Sequence, residues 1–378
     1  MKFSLKNSLF IVLWFGFIAC NPKEGIQPID KNATVQTKAL LKNLDKIRHE
    51  KVLFGHQDDL AYGVNWWDEP GKSDVKDVTG AYPAVFGWEI GHIELGKTES
   101  LDKVSFDKMR NWIREAYEMG GINTISWHLD NPVNGKSSWD KTVTIKHILP
   151  NGSHHDVFLT YLDRLAEFLG SLKDKNGELI PIIFRPWHEH TGTWFWWSLA
   201  FTEGDEYAQL WKFTVEYLRD TKNLHNLLFA YAGSNTNYKD MWPAYPGNDF
   251  VDIIGFDDYF QAKTGEDREN DIKGLTERLV FLVNEAEKNG KVPAFTECGQ
   301  EALVDRTWYT EFLLKAMNAN PAAQRIAYVL TWRNANMDRD RKNHFYAPYP
   351  GHESVEDFNS FKNNSMILFS DELPPMYK

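Results

Sequence analysis

Short apolar runs recur along the whole chain, and turn residues or polar residues bound each of them. Runs of this length that are hydrophobic on both faces are typical of parallel strands, because helices cover such a sheet on each side. We identify eight predicted strands, at residues 52–57, 83–90, 123–129, 180–189, 227–235, 251–259, 292–299 and 326–333.

Amphipathic segments separate most of these strands. Apolar residues spaced by three and four predict helices around 104–119, 154–173, 205–220, 271–289 and 305–318. Alternation of strand and helix implies right-handed crossovers and a parallel sheet. Eight such units without a polar linker favour a single (β/α)8 TIM barrel over a doubly wound sheet. The first strand runs into GHQDDL and not into GxGxxG, so a dinucleotide-binding fold has little support.

The N-terminal sequence has the pattern of an export signal. Lys2 and Lys6 precede an apolar run from Ser8 to Ala19, which is too short to span a membrane. The run ends in Phe-Ile-Ala before Cys20 and resembles a bacterial lipobox, in which the cysteine carries the lipid; ordinary signal cleavage is the alternative. We therefore expect a signal peptide at 1–19, a tether at 20–36 and a catalytic domain at 37–378.

This segment also predicts where the protein resides. We expect a lipoprotein of the cell envelope that is anchored in the outer membrane, on its periplasmic side or at the cell surface. The lipid would be the protein's only link to the membrane.

The formal net charge of −11 argues against nucleic acid as a partner. Aromatic residues make up 14% of the chain, with 15 Trp among them, which indicates that some rings line a binding surface. Two cysteines, Cys20 and Cys298, can form one bridge at most, so no disulfide framework holds the fold together.

Chemistry-bearing residues collect where the predicted strands end. In a (β/α)8 barrel these carboxyl ends form one rim, which carries the active site. The residues concerned are His56, Gln57 and Asp58; Trp88, Glu89 and His92; Trp127, His128 and Asp130; Arg185, Trp187, His188, Glu189 and His190; Ser234 and Asn235; Asp257, Asp258 and Tyr259; Glu297; and Trp332 and Arg333.

Two carboxylates, Glu189 after the fourth strand and Glu297 after the seventh, suggest glycosidic bond cleavage. One carboxyl protonates the leaving oxygen, and the other attacks the anomeric carbon or activates water. A separation of about 5–5.5 Å implies retention of configuration, and one of about 6.5–9.5 Å implies inversion. Neighbouring tryptophans would raise the pKa of Glu189 and suit it as the acid. Glu297 would be the nucleophile, kept ionised by Arg333 or Tyr259.

The tract RPWHEHTGTWFWW places four tryptophans close together after the fourth strand. Indole rings provide flat apolar surfaces for the C–H faces of pyranose rings. We therefore expect Trp194 or Trp196 to stack on a sugar. Trp66, Trp67 and Trp139 are candidates to extend the same cleft.

A zinc hydrolase is a second hypothesis. His188 and His190 form an H-x-H pair, and His56, His128 or Asp257 could complete a ligand set. An acidic residue stands between the two histidines, and Glu297 would then have no role. We therefore expect neither a metal nor an organic cofactor.

With these residues in view, the chain resembles glycoside hydrolase family 26, whose members are mostly retaining β-mannanases with a (β/α)8 fold. The resemblance runs from about residue 37 to the C-terminus. The family's R-P-x-H-E motif reads Arg185-Pro186-Trp187-His188-Glu189, and Trp194 follows at the family's spacing. Related barrels usually carry Asn before the acid, whereas His188 stands there in this chain.

The resemblance implies a role for each matching residue. Glu189 would be the acid/base, Glu297 the nucleophile, and Tyr259 a hydrogen-bond donor to that nucleophile. The substrate-binding residues it implies are His128, His188, Trp194, Tyr259, Trp332 and, less directly, Arg333. His188 would orient the nucleophile or touch the sugar's 2-hydroxyl.

The resemblance also implies a partner, a β-mannan polysaccharide or a manno-oligosaccharide. β-1,3-Xylan and mixed-linkage β-glucan, which other members cut, are the alternative substrates. A non-catalytic glycan-binding lipoprotein is a further alternative. Monomer is the default expectation for the oligomeric state.

Overall fold

The computed structural model describes residues 25–236, 238–261 and 265–378. Its core is a closed barrel of eight parallel strands, each joined to the next along the chain. The strands are β1 Val52–Gln57, β2 Val85–Glu89, β3 Ile122–Ser126, β4 Ile182–Arg185, β5 Leu227–Ser234, β6 Ile253–Tyr259, β7 Val292–Gly299 and β8 Tyr328–Thr331. Pairing of β8 with β1 closes the ring. The predicted (β/α)8 TIM barrel is confirmed.

Helices surround the barrel. They are α1 Val35–Ile47, α2 Asp74–Thr79, α3 Phe106–Glu118, α4 Ile145–Ile148, α5 His155–Ser171, α6 Glu206–Glu216, α7 Gly265–Lys288, α8 Lys315–Asn318 and α9 Val355–Lys362. A π-helical segment, Trp308–Leu314, leads directly into α8. Two short strands, Tyr62–Gly63 and Trp66–Trp67, form a hairpin above β1. None of the helices in the described ranges is long and apolar enough to cross a membrane.

Alternate residues of the strands divide the apolar side chains into two layers. Inward-facing residues such as Leu53, Ile183 and Leu228 fill the barrel. Outward-facing residues such as Phe54 and Phe184 pack beneath the helices. Because side chains alternate along a strand, one continuous apolar run supplies both layers.

Helix α1 closes the barrel at the amino ends of the strands. Its buried face, Leu40, Leu41 and Leu44, packs in the same cluster as the barrel interior. The Thr34 side chain caps the helix by accepting a hydrogen bond from the Thr37 N–H at 3.1 Å. The other end of the barrel, formed by the carboxyl ends of the strands, is therefore left open for a functional site.

The folded part of the chain begins before the expected boundary at residue 37. The Ile29 N–H donates to Asp252 at 2.8 Å, and His225 contacts Asp30 at 2.8 Å. Both partners lie one or two residues before a barrel strand, so this segment runs along the amino ends of the strands. The predicted signal peptide and Cys20 lie outside the described residues.

Candidate active site

The carboxyl ends of the strands surround a cavity of about 600 Å³. Seven predicted site residues line it: His128, Glu189, Trp194, Tyr259, Glu297, Trp332 and Arg333. His188 does not line the cavity but lies directly behind its wall, against His128. The barrel thus brings together residues that lie more than 200 positions apart in the sequence.

Glu189 lies beyond the end of its strand. The sequence predicts a strand through residue 189, but β4 ends at Arg185 and a turn follows. Trp187 and Glu189 both have positive φ values, +52° and +54°, which are unfavourable for residues other than glycine. The Glu189 N–H donates to the carbonyl oxygen of Ala232 on β5 at 2.9 Å. This contact holds the strained turn and fixes the carboxyl at the cavity wall.

The environment of Glu189 favours its protonated form. Burial raises its pKa well above the ordinary value, and the negative charges of Asp257 and Glu297 act in the same direction. The Trp194 indole N–H donates to its Oε2 at 2.6 Å, which opposes the rise in pKa. Glu189 therefore holds its proton to higher pH than an ordinary glutamate, as a general acid requires.

Glu297, near the end of β7, accepts hydrogen bonds from a guanidinium and a phenol. The Arg185 guanidinium donates to its Oε2 at 2.5 Å, and the Tyr259 hydroxyl donates to its Oε1. Tyr259 is thus one of the two partners that we considered for this carboxylate. The other, Arg333, does not contact it, and Arg185 takes its place because it projects from β4 into the barrel centre.

Arg185 also binds a second carboxylate. One of its terminal nitrogens lies 2.5 Å from Oδ2 of Asp257, while the other binds Glu297. Burial raises the pKa of Asp257 to about 7, which Arg185 opposes and Glu297 reinforces. The Arg185 guanidinium thus offsets the negative charge of two buried carboxylates directly beneath the cavity.

Arg333 is held by three groups on neighbouring loops. It lies 2.6 Å from Asp340, 3.3 Å from Asp102 and 3.3 Å from the Tyr62 hydroxyl. Asp102 and Asp340 also line the cavity, so this cluster forms a charged wall at one side of it. A sugar hydroxyl there would meet both donors and acceptors.

The aromatic residues separate into cleft walls and core. Trp194, Trp332, Phe195 and Trp139 line the cavity. Trp139 is 50% exposed and stacks on the His128 ring with centroids 5.5 Å apart. These rings provide the flat apolar surfaces that bind pyranose rings.

Three of the tryptophans considered for the cleft lie elsewhere. Trp196 is fully buried and donates to the Leu129 carbonyl, so it belongs to the core. Trp66 is buried against Asp74, and Trp67 stacks on Tyr62 and contacts the Arg339 guanidinium through its ring face. Neither Trp66 nor Trp67 lines the cavity.

A metal site is poorly supported by the geometry. In the described residues, one group of potential ligands lies close together: His188, Asp257 and Glu297, with one ligand atom of each within 4.8 Å of the others. However, the Arg185 cation already binds both carboxylates of this group. His190 stacks on Tyr207 and His56 pairs with Asp59, so neither joins the group. These residues do not fit the zinc hypothesis.

Several residues in the cavity wall were not predicted from the sequence. Asp102, Asp340 and Tyr346 belong to the loops after β2 and β8. The rule that strand–helix loops build the site of a barrel points to these loops but not to individual positions in them. Glu89 did stand among the strand-end residues, but nothing in the sequence indicated its partner.

A (β/α)8 barrel that holds two carboxylic side chains in one aromatic-lined cleft defines the class of protein, a glycoside hydrolase. The model of glycosyl hydrolase family 26 matches residues 29–319, and the chain belongs to that family. The predicted resemblance is therefore confirmed.

Curated relatives carry the name mannan endo-1,4-beta-mannosidase. The one from Bifidobacterium adolescentis is 33% identical over 361 residues, which cover 91% of this chain. That alignment spans only 35% of the longer relative. The one from Bacillus subtilis strain 168 is 28% identical over 86% of this chain and 88% of its own length.

Solved structures agree with this relationship. A GH26 beta-mannanase from Bacteroides ovatus superposes with a TM-score of 0.85 at 42% identity, covering 91% of this chain and 98% of its own. A modular endo-beta-1,4-mannanase from Cellulomonas fimi gives a TM-score of 0.83 at 38% identity, covering 93% of this chain and 79% of its own.

Proposed function

We propose that this protein hydrolyses β-1,4-mannosidic bonds in mannan, galactomannan or glucomannan with retention of configuration. The observation that carries the proposal is the pair Glu189 and Glu297, which face one cavity from contrasting environments. Membership of family 26 and the names of the relatives support the choice of mannan.

In the first step, Glu189 gives its proton to the glycosidic oxygen as the bond to the anomeric carbon breaks. A carboxylate oxygen of Glu297 attacks that carbon, and a covalent glycosyl-enzyme forms. Hydrogen bonds from Arg185 and Tyr259 hold the Glu297 carboxylate in position before attack. The burial of Glu189 supports its role as proton donor.

In the second step, Glu189 is a carboxylate and takes a proton from water. The water oxygen attacks the anomeric carbon, the bond to Glu297 breaks, and the sugar leaves with its original configuration. Loss of the Glu297 charge in the intermediate lowers the pKa of Glu189, because the two negative charges no longer oppose each other. The same residue can thus donate a proton in one step and accept one in the next.

The substrate class is tested by a reducing-sugar assay with galactomannan, glucomannan, β-1,3-xylan and mixed-linkage β-glucan, with and without a chelator. We expect activity on the two mannans that the chelator does not change. Preference for xylan or mixed-linkage glucan would support the alternative substrates. Tight binding without new reducing ends would support the non-catalytic alternative.

The catalytic roles are tested by Glu189→Ala and Glu297→Ala. Each should abolish turnover of mannan in a folded protein. An aryl mannoside with a good leaving group needs no acid for its first step, so Glu189→Ala should retain much more activity on it than Glu297→Ala. Glu287→Ala is the control, because Glu287 pairs with Arg48 and Arg325 away from the cleft. Full activity of either active-site variant would refute the assignment.

We also propose that Cys20 carries a lipid that anchors the protein in the outer membrane. The segment from residue 25 to 34 contacts the amino ends of the barrel strands, and the cleft lies at their carboxyl ends. An anchor at Cys20 would thus leave the cleft pointing away from the lipid. Cys20→Ser should move the protein from the membrane fraction to the soluble fraction; continued membrane association would contradict the proposal.

A further inference from the structure

Glu89 is a buried carboxylate at the end of β2 that the mechanism above does not use. Its side chain is 1% exposed and accepts four hydrogen bonds. Oε1 accepts from the N–H groups of Gly91 at 2.6 Å and His128 at 2.9 Å. Oε2 binds the Ser126 hydroxyl at 2.7 Å and Nδ1 of His128 at 2.7 Å. Such full coordination stabilises the ionised form, and the pKa of Glu89 is lowered despite its burial.

The Glu89 contact decides which nitrogens of His128 carry hydrogen. A carboxylate only accepts, so Nδ1 of His128 must donate to it. Nε2 of His128 lies 3.1 Å from Nε2 of His188, and one of these two nitrogens must donate to the other. Two arrangements satisfy this contact: a charged His128 that donates to His188, or a neutral His128 that accepts from it.

The surrounding charges favour the first arrangement. Burial alone would lower the pKa of His128, but Glu89 and Glu297 outweigh burial and Arg185, so the pKa is raised. Asp102, across the cavity, adds a further negative charge. Around His188, burial and the positive charges of Arg185 and His128 lower the pKa, so that ring stays neutral. The surroundings therefore favour a protonated His128 beside a neutral His188.

We propose that Glu89 is a positioning residue for the hydrolysis: it keeps His128 as an imidazolium, so that His188 remains a neutral acceptor with its hydrogen on Nδ1. The inference rests on the proposed function for its effect on turnover. Its structural part, the protonation of the two rings, is independent of the substrate.

This arrangement matters to the reaction because of where His188 lies. One of its ring nitrogens is within 4.8 Å of carboxylate oxygens of both Asp257 and Glu297. Its Nδ1 has no hydrogen-bond partner among the residues that the structure describes. When His128 loses its proton, the bond between the rings reverses and Nδ1 of His188 changes from donor to acceptor. A buried ring beside the nucleophile would then present an acceptor where it had presented a donor.

The protonation states can be read directly from ¹⁵N resonances of histidine-labelled protein during a pH titration, with His128→Asn and His188→Asn for assignment. In the native chain we expect His128 to titrate above its ordinary value of about 6.5. Glu89→Gln removes the charge, and its amide group favours an unprotonated Nδ1. The His128 titration should then move down by about one pH unit or more, and the alkaline limb of kcat/KM should move with it.

Glu94→Gln is the matched control. Glu94 is also buried after β2 and accepts bonds from the Trp127 indole and the Asp130 N–H, but it does not touch His128. Glu94→Gln should change neither the His128 titration nor the alkaline limb of kcat/KM. Glu89→Asp keeps the negative charge, so its His128 titration and its alkaline limb should lie between those of the native protein and those of Glu89→Gln.

An unchanged His128 titration in Glu89→Gln would overturn the proposal, as would a native His128 that is neutral at pH 6. A shifted titration with an unmoved alkaline limb would overturn the link to catalysis. If mannan proves not to be the substrate, the resonance shifts still decide the protonation states, so the two failures are distinguishable.

Discussion

Arg185→Met offers the most direct test of the electrostatics beneath the cleft. The guanidinium is 3% exposed and binds Asp257 and Glu297, each at 2.5 Å. Methionine keeps much of the volume but leaves two buried carboxylates facing each other. Removing one partner of a buried ion pair typically costs about 3–5 kcal/mol of unfolding free energy.

The distance between the two acids gives a similar magnitude. Their oxygens lie within 4.8 Å of each other, and two unit charges at that separation repel by roughly 3.5 kcal/mol at an effective dielectric constant of 20. The protein can relieve this repulsion by protonating Asp257, whose pKa is already about 7 and would rise further without Arg185. An acid with a raised pKa in the folded state stabilises the fold as pH falls. The loss should therefore be largest above pH 7 and smaller at pH 5.

Urea unfolding of the native protein and Arg185→Met at pH 5, 6, 7 and 8 measures this loss. Arg219→Met, which breaks an exposed pair with Asp220, is the control and should change stability by about 1 kcal/mol or less. Mannan turnover by Arg185→Met should fall by roughly tenfold or more at pH 7, because the nucleophile loses its cationic partner. A loss below about 1 kcal/mol, or one that grows as pH falls, would refute the reasoning.

Two further changes test other parts of the structure. Trp139→Ala removes the exposed ring that stacks on His128, so KM for mannan should rise by roughly two- to tenfold, with kcat less affected; Val143→Ala in the same loop is the control, and an unchanged KM would exclude a substrate contact. Burial raises the pKa of Asp252 to about 6, so the folded state holds its proton to higher pH than the unfolded state. Its protonation should thus stabilise the fold by about 2 kcal/mol as pH falls from 7 to 4. Asp252→Asn lacks this contribution, and an equal pH dependence in both proteins would contradict it.

The two buried glutamates that follow β2 show how strongly local contacts control ionisation. Both are removed from solvent, yet burial raises the pKa of Glu94 to about 7, whereas the pKa of Glu89 is lowered. The difference comes from His128, which gives Glu89 a charged partner as well as two hydrogen bonds. Neither the residue type nor the burial of a side chain is sufficient to assign its charge.

The sequence alone determined the fold and the pair of carboxyls. A parallel barrel needs strands that are apolar on both faces, and this requirement makes each strand visible as a continuous run. Because all parallel strands end at one rim, the polar residues that follow them must meet there, which placed Glu189 and Glu297 in one site. The motif around Glu189 then indicated the family.

The tertiary structure decided how those residues are arranged and charged. The sequence offered Arg333 as a partner for Glu297, but only the geometry of β4 and β7 brings Arg185 to it. The contact of Glu89 with His128, and of His128 with His188, joins the ends of three consecutive strands, β2, β3 and β4, although the residues themselves lie 39 and 60 positions apart. Distances of a few ångström between such groups follow from barrel closure and loop packing, and a residue pattern holds no information about them.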